Sequence, residues 1–407
     1  MNGFIPQTSG NVAAFYNQPG QPSGVNIGDL WYDNINSQFK EWNGNTWQVI
    51  YLPPGMTQKN AIINGNMDVW QRATAQTATA FNTCNTADRY KNFMVLGSGG
   101  AVTMGQSTDV PTIAQSGTFS SYSLNCQVSV AQSSIASGDY FIVAQLIEGF
   151  NFRPLAQRYF TISFWVKAFK PGIYGITLRA TNNIYSYIVE YSINSSATWE
   201  KKVIVISPSP ASGAWNYTNG TGLSIYWTMA MGSAFWATTT NQWLAGSLAS
   251  TSNHVNGLDS TSNYFRLSQI QVEPGIVATP FEERIFADEL LRCQRYCWAV
   301  GWDSSVGANW VIATGRETSA GGGAVLIQLP TTMRTTPTNT PAVTASNFQG
   351  DDGIAFGVIG TLSYALSNSG LDRVWFNTAH AYAAGTGNSC IIYTTNNSSR
   401  LILDAEL

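Results

Sequence analysis

The 407-residue chain is 44% apolar and 13% aromatic, which is enough to bury a large core over two to three domains and excludes a disordered tail. Only 11% of its residues are charged while Gly, Ser, Thr and Asn are abundant, the balance of short strands joined by polar turns, so an all-β fold is expected. A net charge of −3 without a basic cluster leaves no electrostatic footprint for nucleic acid, and no stretch approaches the roughly 20 apolar residues of a membrane helix.

Residues 1–55 form a first unit. Met1 to Tyr16 has no cationic start, apolar run or small-residue cleavage site, so a soluble chain made in the cytoplasm is expected. The run GDLWYDNINSQFKEWNGNTWQVIY predicts a small meander with strands at Leu30 to Tyr32, Gln38 to Trp42 and Trp47 to Tyr51. Its turns fall at Asn34-Ile35-Asn36 and Asn43-Gly44-Asn45, the second holding an Asn-Gly pair suited to a tight hairpin. Trp31, Trp42 and Trp47 exceed what so small a core should hold, so packing on a neighbour or on copies of itself is expected. Leu52-Pro53-Pro54-Gly55 reads as a linker.

The second unit, 56–279, alternates strongly. Phe160, Ile162, Phe164 and Val166 share one face while Thr161, Ser163 and Lys167 share the other, the pattern of a half-buried strand. Tyr174, Ile176 and Leu178 repeat the pattern after the Lys170-Pro171-Gly172 turn, and so do Leu223, Ile225, Trp227 and Met229. Strand, turn and strand at this spacing predict a β-sandwich. The apolar phase slips between Leu267 and Ile270, which predicts a β-bulge.

One amphipathic helix, 280–298, should link this unit to the next. Thr279 is the expected N-cap, Pro280 suits the first turn, Glu282 and Glu283 begin the helix, and Arg292 and Arg295 end it. Phe286, Leu290, Cys293 and Cys297 would form its apolar stripe. The last unit, 299–407, is again strand-rich, with strands expected at Trp310 to Ala313, Ala324 to Leu329, Ile354 to Ile359, Val374 to Phe376 and Cys390 to Tyr393, and is read as a small β-sandwich at the tip.

Several of these stretches resemble proteins of tailed bacteriophages. The run from Phe265 to Trp298, FRLSQIQVEPGIVATPFEERIFADELLRCQRYCW, resembles a junction of tail-fibre and receptor-binding proteins, where a strand closing a jelly roll is followed by "ATPFE.R....EL..CQRY". NGNMDVWQR at 64–72 and Ala87-Asp88-Arg89-Tyr90 resemble the opening of the same unit, with Met67 where Phe is usual. Together with Ser163-Phe164-Trp165-Val166-Lys167-Ala168, Thr198-Trp199 and Gln271-Val272-Glu273-Pro274-Gly275, they resemble carbohydrate-binding jelly rolls over about half the chain. Pro330-Thr331-Thr332-Met333-Arg334 and Leu403-Asp404-Ala405-Glu406-Leu407 are similar to the later parts of phage fibres, and GDLWYD…WNG..W to small assembly modules of phage tail proteins. The resemblance implies a virion surface appendage, a homotrimeric tail fibre or spike, joined to other tail, baseplate or collar proteins through residues 1–55. It would adsorb to the host by binding a bacterial surface glycan.

The residues argue more for binding than for catalysis. The only histidines, His254 and His380, lie in a Ser/Asn/Gly loop and an Ala-rich segment and are read as structural, which leaves no base for a Ser/His/Asp or Cys/His site. Of the five cysteines, at 84, 126, 293, 297 and 390, only Cys293 and Cys297 are close in sequence, and at helical spacing these two are read as small buried apolar residues rather than a bridge; no metal and no cofactor are expected. Paired carboxylates for glycoside hydrolysis would have to come from Glu148, Glu190, Glu200, Glu273, Asp351 or Asp352. A polysaccharide depolymerase is thus one alternative, and a purely structural collar, baseplate or head-fibre component another.

A glycan site joins aromatic platforms to short polar groups. Trp165 and Trp227 sit inside strands and are read as core, whereas Trp215, Tyr217, Trp236, Trp243 and Trp310 lie in polar or Gly-rich surroundings and are the expected glycan contacts. Asp351, Asp352 and Arg373 join them in the tip unit.

Overall fold

The computed structural model describes residues 5–6, 12–23, 26–35, 38–49, 59–81, 86–180, 184–300, 310–319, 321–339, 345–354, 356–365, 368–380, 386–395 and 400–407. The chain is all-β, as its composition requires. The linker at 52–55, Cys84 and the start of the tip unit at 301–309 fall outside those residues.

The first unit is a four-stranded sheet. Leu30–Asp33, Gln38–Trp42 and Trp47–Val49 form the meander, and Phe15–Gln18 adds to it in parallel beside Leu30–Asp33. Trp31 and Trp47 are buried within this unit, their rings 5.7 Å apart. Their indole N–H groups donate to Gln18 O at 3.0 Å and Pro22 O at 2.9 Å, so the lead segment holds two of the three tryptophans of the meander.

The central unit is a sandwich of two six-stranded antiparallel sheets, the chain passing repeatedly between them as in a jelly roll. The first sheet runs Glu200–Ile206, Phe160–Ala168, Tyr264–Pro274, Ser123–Val130, Ala101–Ser107 and Ala75–Ala78. The second runs Trp243–Ala245, Tyr185–Ile193, Gly172–Ala180, Thr221–Met231, Tyr140–Glu148 and Tyr90–Val95. The alternating residues read from the sequence meet between them: Phe160, Ile162, Phe164, Val166, Ile176, Leu178, Leu223, Ile225 and Trp227 are all fully buried.

Phe160–Ala168 is buried on both faces rather than on one, Thr161, Ser163 and Trp165 included. The outer side is covered by the segment that leaves the sandwich: Thr161 Oγ1 donates to Gly275 O at 2.8 Å, and the neighbouring Glu273 and Gln271 hold Thr279 and Glu282. The bulge lies where the phase slipped. Ser163 pairs with Gln271 and Trp165 with Ser268, and Gln269 takes the extra position at φ 47°. Gly65 fits against it, accepting from Ile270 N at 2.9 Å, and a Cβ there would collide with the Ile270 carbonyl.

The linking helix is Phe286–Gln294, shorter than the sequence suggests. Thr279 is not its N-cap: its N–H and hydroxyl donate to Glu273 at 2.8 and 2.6 Å, and Glu282 N donates to Gln271 at 2.7 Å, which keeps 279–282 out of the helix. Asp288 and Glu289 therefore occupy the first turn, and Arg292 the last. Cys293 packs with Ile63, Val69 and Tyr296, but Phe286 is half exposed and Cys297 belongs to the following strand Cys297–Ala299, so the expected four-residue stripe is broken at both ends.

The tip unit closes into a six-stranded barrel rather than an open sandwich. Val311–Ser319 pairs with Gly322–Gln328 on one side and Ser389–Thr394 on the other, and Arg373–His380, Phe356–Tyr364 and Phe348–Asp351 complete the ring. Val325, Ile327, Phe348, Ile359, Val374, Phe376 and Ile392 fill the interior. A separate three-stranded sheet joins Cys297–Ala299, Ile402–Asp404 and Thr338–Asn339, returning the C-terminal residues to the central unit.

Candidate functional site

The sequence motifs and the exposed aromatic rings fall in different places. NGNMDVWQR, ADRY, CQRY and the terminal DAEL converge on one buried polar junction. Asn64 Nδ2 donates to Val69 O and Asp88 O, and Gln71 N donates to Asp88 at 2.9 Å. Arg72 reaches Asp404 at 3.1 Å and Glu406 at 3.4 Å, and Arg89 pairs with Glu406 while its guanidinium lies 3.5 Å from the Tyr296 ring centroid. Arg295 grips Glu148 with two hydrogen bonds of 2.9 and 2.6 Å, and Arg334 donates to Ala405 O and Glu406 O. Burial alone would raise the Glu406 pKa, but Arg89, Arg72 and Lys91 hold it down to about 2. Burial pushes Asp88 up to about 6 against the opposing pull of Arg72 and Gln71. The charged groups pair with one another across distant parts of the chain, which makes this a structural clasp.

The carboxylates that would serve hydrolysis are likewise engaged. Glu148 holds Arg295, Glu190 accepts from Asn253 at 3.1 Å and from Thr251, Glu200 accepts from Lys202 at 2.6 Å and Asn194 N at 2.8 Å, and Glu273 holds Thr279. His254 is fixed between Thr228 and Val255, and His380 forms a buried pair with Glu317 at 2.9 Å. The four described cysteines are buried, and no group of three or more metal-binding side chains exists among the described residues.

The expected aromatic contacts divide. Trp215 is buried: its indole N–H donates to Pro210 O at 2.9 Å, and its ring stacks on Phe152 at 5.2 Å, with Trp243 edge-on at 5.5 Å. Tyr217 lies parallel to Phe152 at 6.1 Å, and Trp243 donates to Ser207 O at 3.1 Å. These three close one end of the sandwich. Trp236 is 39% exposed and Trp310, on the barrel, 47%. In the tip, Asp351 and Asp352 cap a turn by accepting from Gly353 N at 2.7 Å and Ile354 N at 3.0 Å, while Arg373 pairs with the exposed Asp372. The meander puts Asp351 at the end of its strand and Arg373 at the start of the next but one, hence at opposite ends of the barrel.

An aromatic groove lies elsewhere, on the outer face of the second sheet. It encloses about 260 Å³, with Phe93, Tyr140, Ile142, Tyr226 and Arg179 in its floor and Phe81 and Phe235 at its sides. Floor residues are the outward members of strands whose inward members form the core; Ile142 pairs with Phe93, and Ala144 with Tyr226. Phe81 stacks on Phe93 at 4.9 Å and 11°, Phe93 meets Tyr226 edge-on at 5.5 Å, and Tyr140 meets Phe235 at 5.4 Å. The Arg179 guanidinium sits 5.3 Å from the Tyr226 ring centroid and its Nε donates to Leu248 O at 3.2 Å. Burial lowers the Arg179 pKa and raises that of Tyr140. The Phe235 side is held by main-chain bonds, Ala249 N to Phe235 O at 2.9 Å and Gly232 N to Asp139 O at 2.7 Å, and a Cβ on Gly232 would collide with the Ala136 and Ser137 carbonyls. Sequence reading passed over the groove because it followed only the inward parity of each strand; the signal was Tyr226 and Arg179 on the opposite parity.

A second cleft, about 350 Å³, separates the opening loop from the linking helix, with Asp68, Tyr122, Phe281, Glu283 and Phe286 among its lining. Burial raises Asp68 to about 6; a hydrogen bond from Asn66 opposes this, while Glu289 and Glu283 add to it.

No protein-family model matches the sequence, and no curated protein matches it. Solved structures similar to it include a phage tailspike domain and several carbohydrate-binding modules. The enzymatically active domain of tailspike protein 4 of bacteriophage CBA120 is 13% identical over 53% of this chain and 21% of that one, with a TM-score of 0.29. A module described as CBM4 is 13% identical over 52% and 97%, with a TM-score of 0.27. The family 11 carbohydrate-binding module of Clostridium thermocellum, in complex with a β-1,3-1,4-mixed-linked tetrasaccharide, is 11% identical over 51% and 99%, with a TM-score of 0.25. Likeness of this degree carries nothing about the ligand of this chain, which has to be argued from its own groove.

Proposed function

We propose that this chain is a virion protein, a tail fibre or spike, that binds a bacterial surface polysaccharide through the aromatic groove and does not cleave it. The observation that carries the reading is the groove itself: aromatic rings at differing tilts on a rigid sheet, open to solvent, with a guanidinium among them. Sugar rings present flat C–H faces to such rings and hydroxyls to the polar groups beside them. The phage-fibre resemblance supports the setting, with residues 1–55 attaching to other virion proteins and three copies giving avidity to a weak single site. The direct test is binding of the labelled chain to a panel of bacterial cells, intact and after periodate oxidation. Strain-selective binding that oxidation removes, and that Phe93→Ala removes, is expected; a chain that binds no strain would instead be a structural virion component.

Asp68 supports a second reading, a depolymerase, because a carboxyl near pKa 6 facing further carboxylates is the kind of group that acts as general acid in glycoside hydrolysis. Release of reducing ends from a bound polysaccharide, abolished by Asp68→Asn, would establish it, and intact polysaccharide after prolonged incubation would exclude it.

A further inference from the structure

Resting on the glycan reading of the groove, we propose that it selects sugars bearing a methyl group, either the C6 methyl of a 6-deoxyhexose or the methyl of an acetyl substituent, and that this methyl enters the bottom of the groove. Rings alone would make a platform for any pyranose. Here they surround an aliphatic base: Ile142, Met231 and Ala249 are buried yet line the groove, packed with Tyr226 while the partly exposed Phe93, Tyr140 and Phe235 stand around them. Such a base gives a sugar ring no flat face to stack on and gives a hydroxyl no side chain to bond. A methyl group needs neither.

The main chain does not make up the difference at that depth. Ala249 N donates to Phe235 O at 2.9 Å, and Ala249 O accepts from Thr177 Oγ1 at 2.8 Å. Met231 O accepts the Trp236 indole N–H at 3.0 Å, and Ile142 lies inside the ladder, opposite Phe93 on one side and Thr228 on the other. Arg179 is engaged as well, with the Tyr226 hydroxyl and with Leu248 O at 3.2 Å, so the groove places no requirement for charge on its ligand. A hydroxyl pointed at the base would give up its water without gaining a partner, a penalty that a methyl group does not carry. Ser247 and the Tyr140 hydroxyl also line the groove and are the side chains suited to the remaining hydroxyls of the sugar.

The test measures affinity of the full chain for matched pairs of oligosaccharides: a 6-deoxyhexose against the hexose of the same configuration, and an acetylated sample against the same sample after removal of its acetyl groups. The methyl-bearing member of at least one pair is expected to bind more tightly by roughly ten- to a hundredfold, and the pair that shows the preference identifies the source of the methyl. Ile142→Thr, which sets a hydroxyl into the base, should remove most of that preference, whereas Ile142→Val should keep it. Ile142→Thr should also bind the methyl-free members no worse than the wild type does, which separates lost selection from misfolding. If both members of each pair bind equally to the wild type while Phe93→Ala abolishes binding, methyl selection is wrong and the glycan reading stands. If the wild-type chain binds neither these oligosaccharides nor any bacterial cell, both fall.

Discussion

The junction and the groove are built from opposite materials. At the junction nearly every side chain is charged or amide-bearing, buried, and matched to a partner more than a hundred residues away in sequence, as Arg72, Arg89 and Glu406 show. At the groove the side chains are aromatic and partly open, and their partners are mainly each other. Recurrent motifs mark the first and leave the second unmarked. A buried ion network tolerates few substitutions because each change strands a charge, whereas many arrangements of rings make a sugar platform. Motif density in this chain therefore reports how the units are clasped together, and ligand recognition has to be looked for where motifs are sparse.

The largest expected effect lies on the junction side. Glu406→Gln removes the carboxylate shared by Arg72 and Arg89 and leaves buried guanidinium groups without their counter-charge, so a loss of about 3–5 kcal/mol in denaturant unfolding is expected. If the variant unfolds like the wild type, the clasp does not hold the C-terminal residues.

The pH dependence sharpens the same point. Glu406 has a folded pKa of about 2 against an ordinary 4.5, so its contribution is complete above pH 4.5 and is lost as pH falls from there toward 2, about 3 kcal/mol in all. Asp88 has the opposite sign: raised to about 6, it takes up its proton more readily when folded, so folding becomes more favourable as pH falls from 6 toward 3.8. Asp68, raised likewise to about 6, adds to this, so stability should rise from pH 6 toward about 4 and fall only below that, where Glu406 alone goes on taking up its proton. A chain that weakens steadily from pH 6 downward would contradict these assignments.

On the groove side the effects fall on binding. Phe81→Ala together with Phe93→Ala should weaken polysaccharide binding by roughly ten- to a hundredfold, while Phe81→Ala alone, at a ring 55% exposed, should change stability by no more than about 0.5 kcal/mol. Equal losses of binding and stability would mean that the rings serve packing. Gly232→Ala should displace the turn bearing Phe235 and weaken binding about as much as losing one ring of the wall. Trp310→Ala is expected to alter neither binding nor stability beyond about 0.5 kcal/mol, because this exposed ring stands on the barrel away from the groove.

The sandwich was legible where one parity was strictly apolar, as in Leu223, Ile225, Trp227 and Met229, and the bulge was legible from a slip of that parity. Phe15–Gln18 was not, because a four-residue parallel edge strand carries too little alternation to register. The helix start was misplaced because local capping rules favoured Thr279, while Glu273, fixed in the neighbouring strand, had the stronger claim on its hydroxyl. Barrel closure depends on the pairing of Val311–Ser319 with Ser389–Thr394, a contact some 75 residues apart that period-two patterning cannot announce. Trp215 misled because a Gly/Asn-rich loop usually lies open, but this one folds its indole back over Phe152.

Hydrogen exchange of the full chain with and without a bound polysaccharide tests most directly whether recognition resides in the groove. Added protection in Tyr90–Val95, in Tyr140–Glu148 and around Phe235 is predicted, with the junction unchanged. Protection confined to the Trp215–Trp243 end of the sandwich, or to the barrel around Trp310, would contradict it.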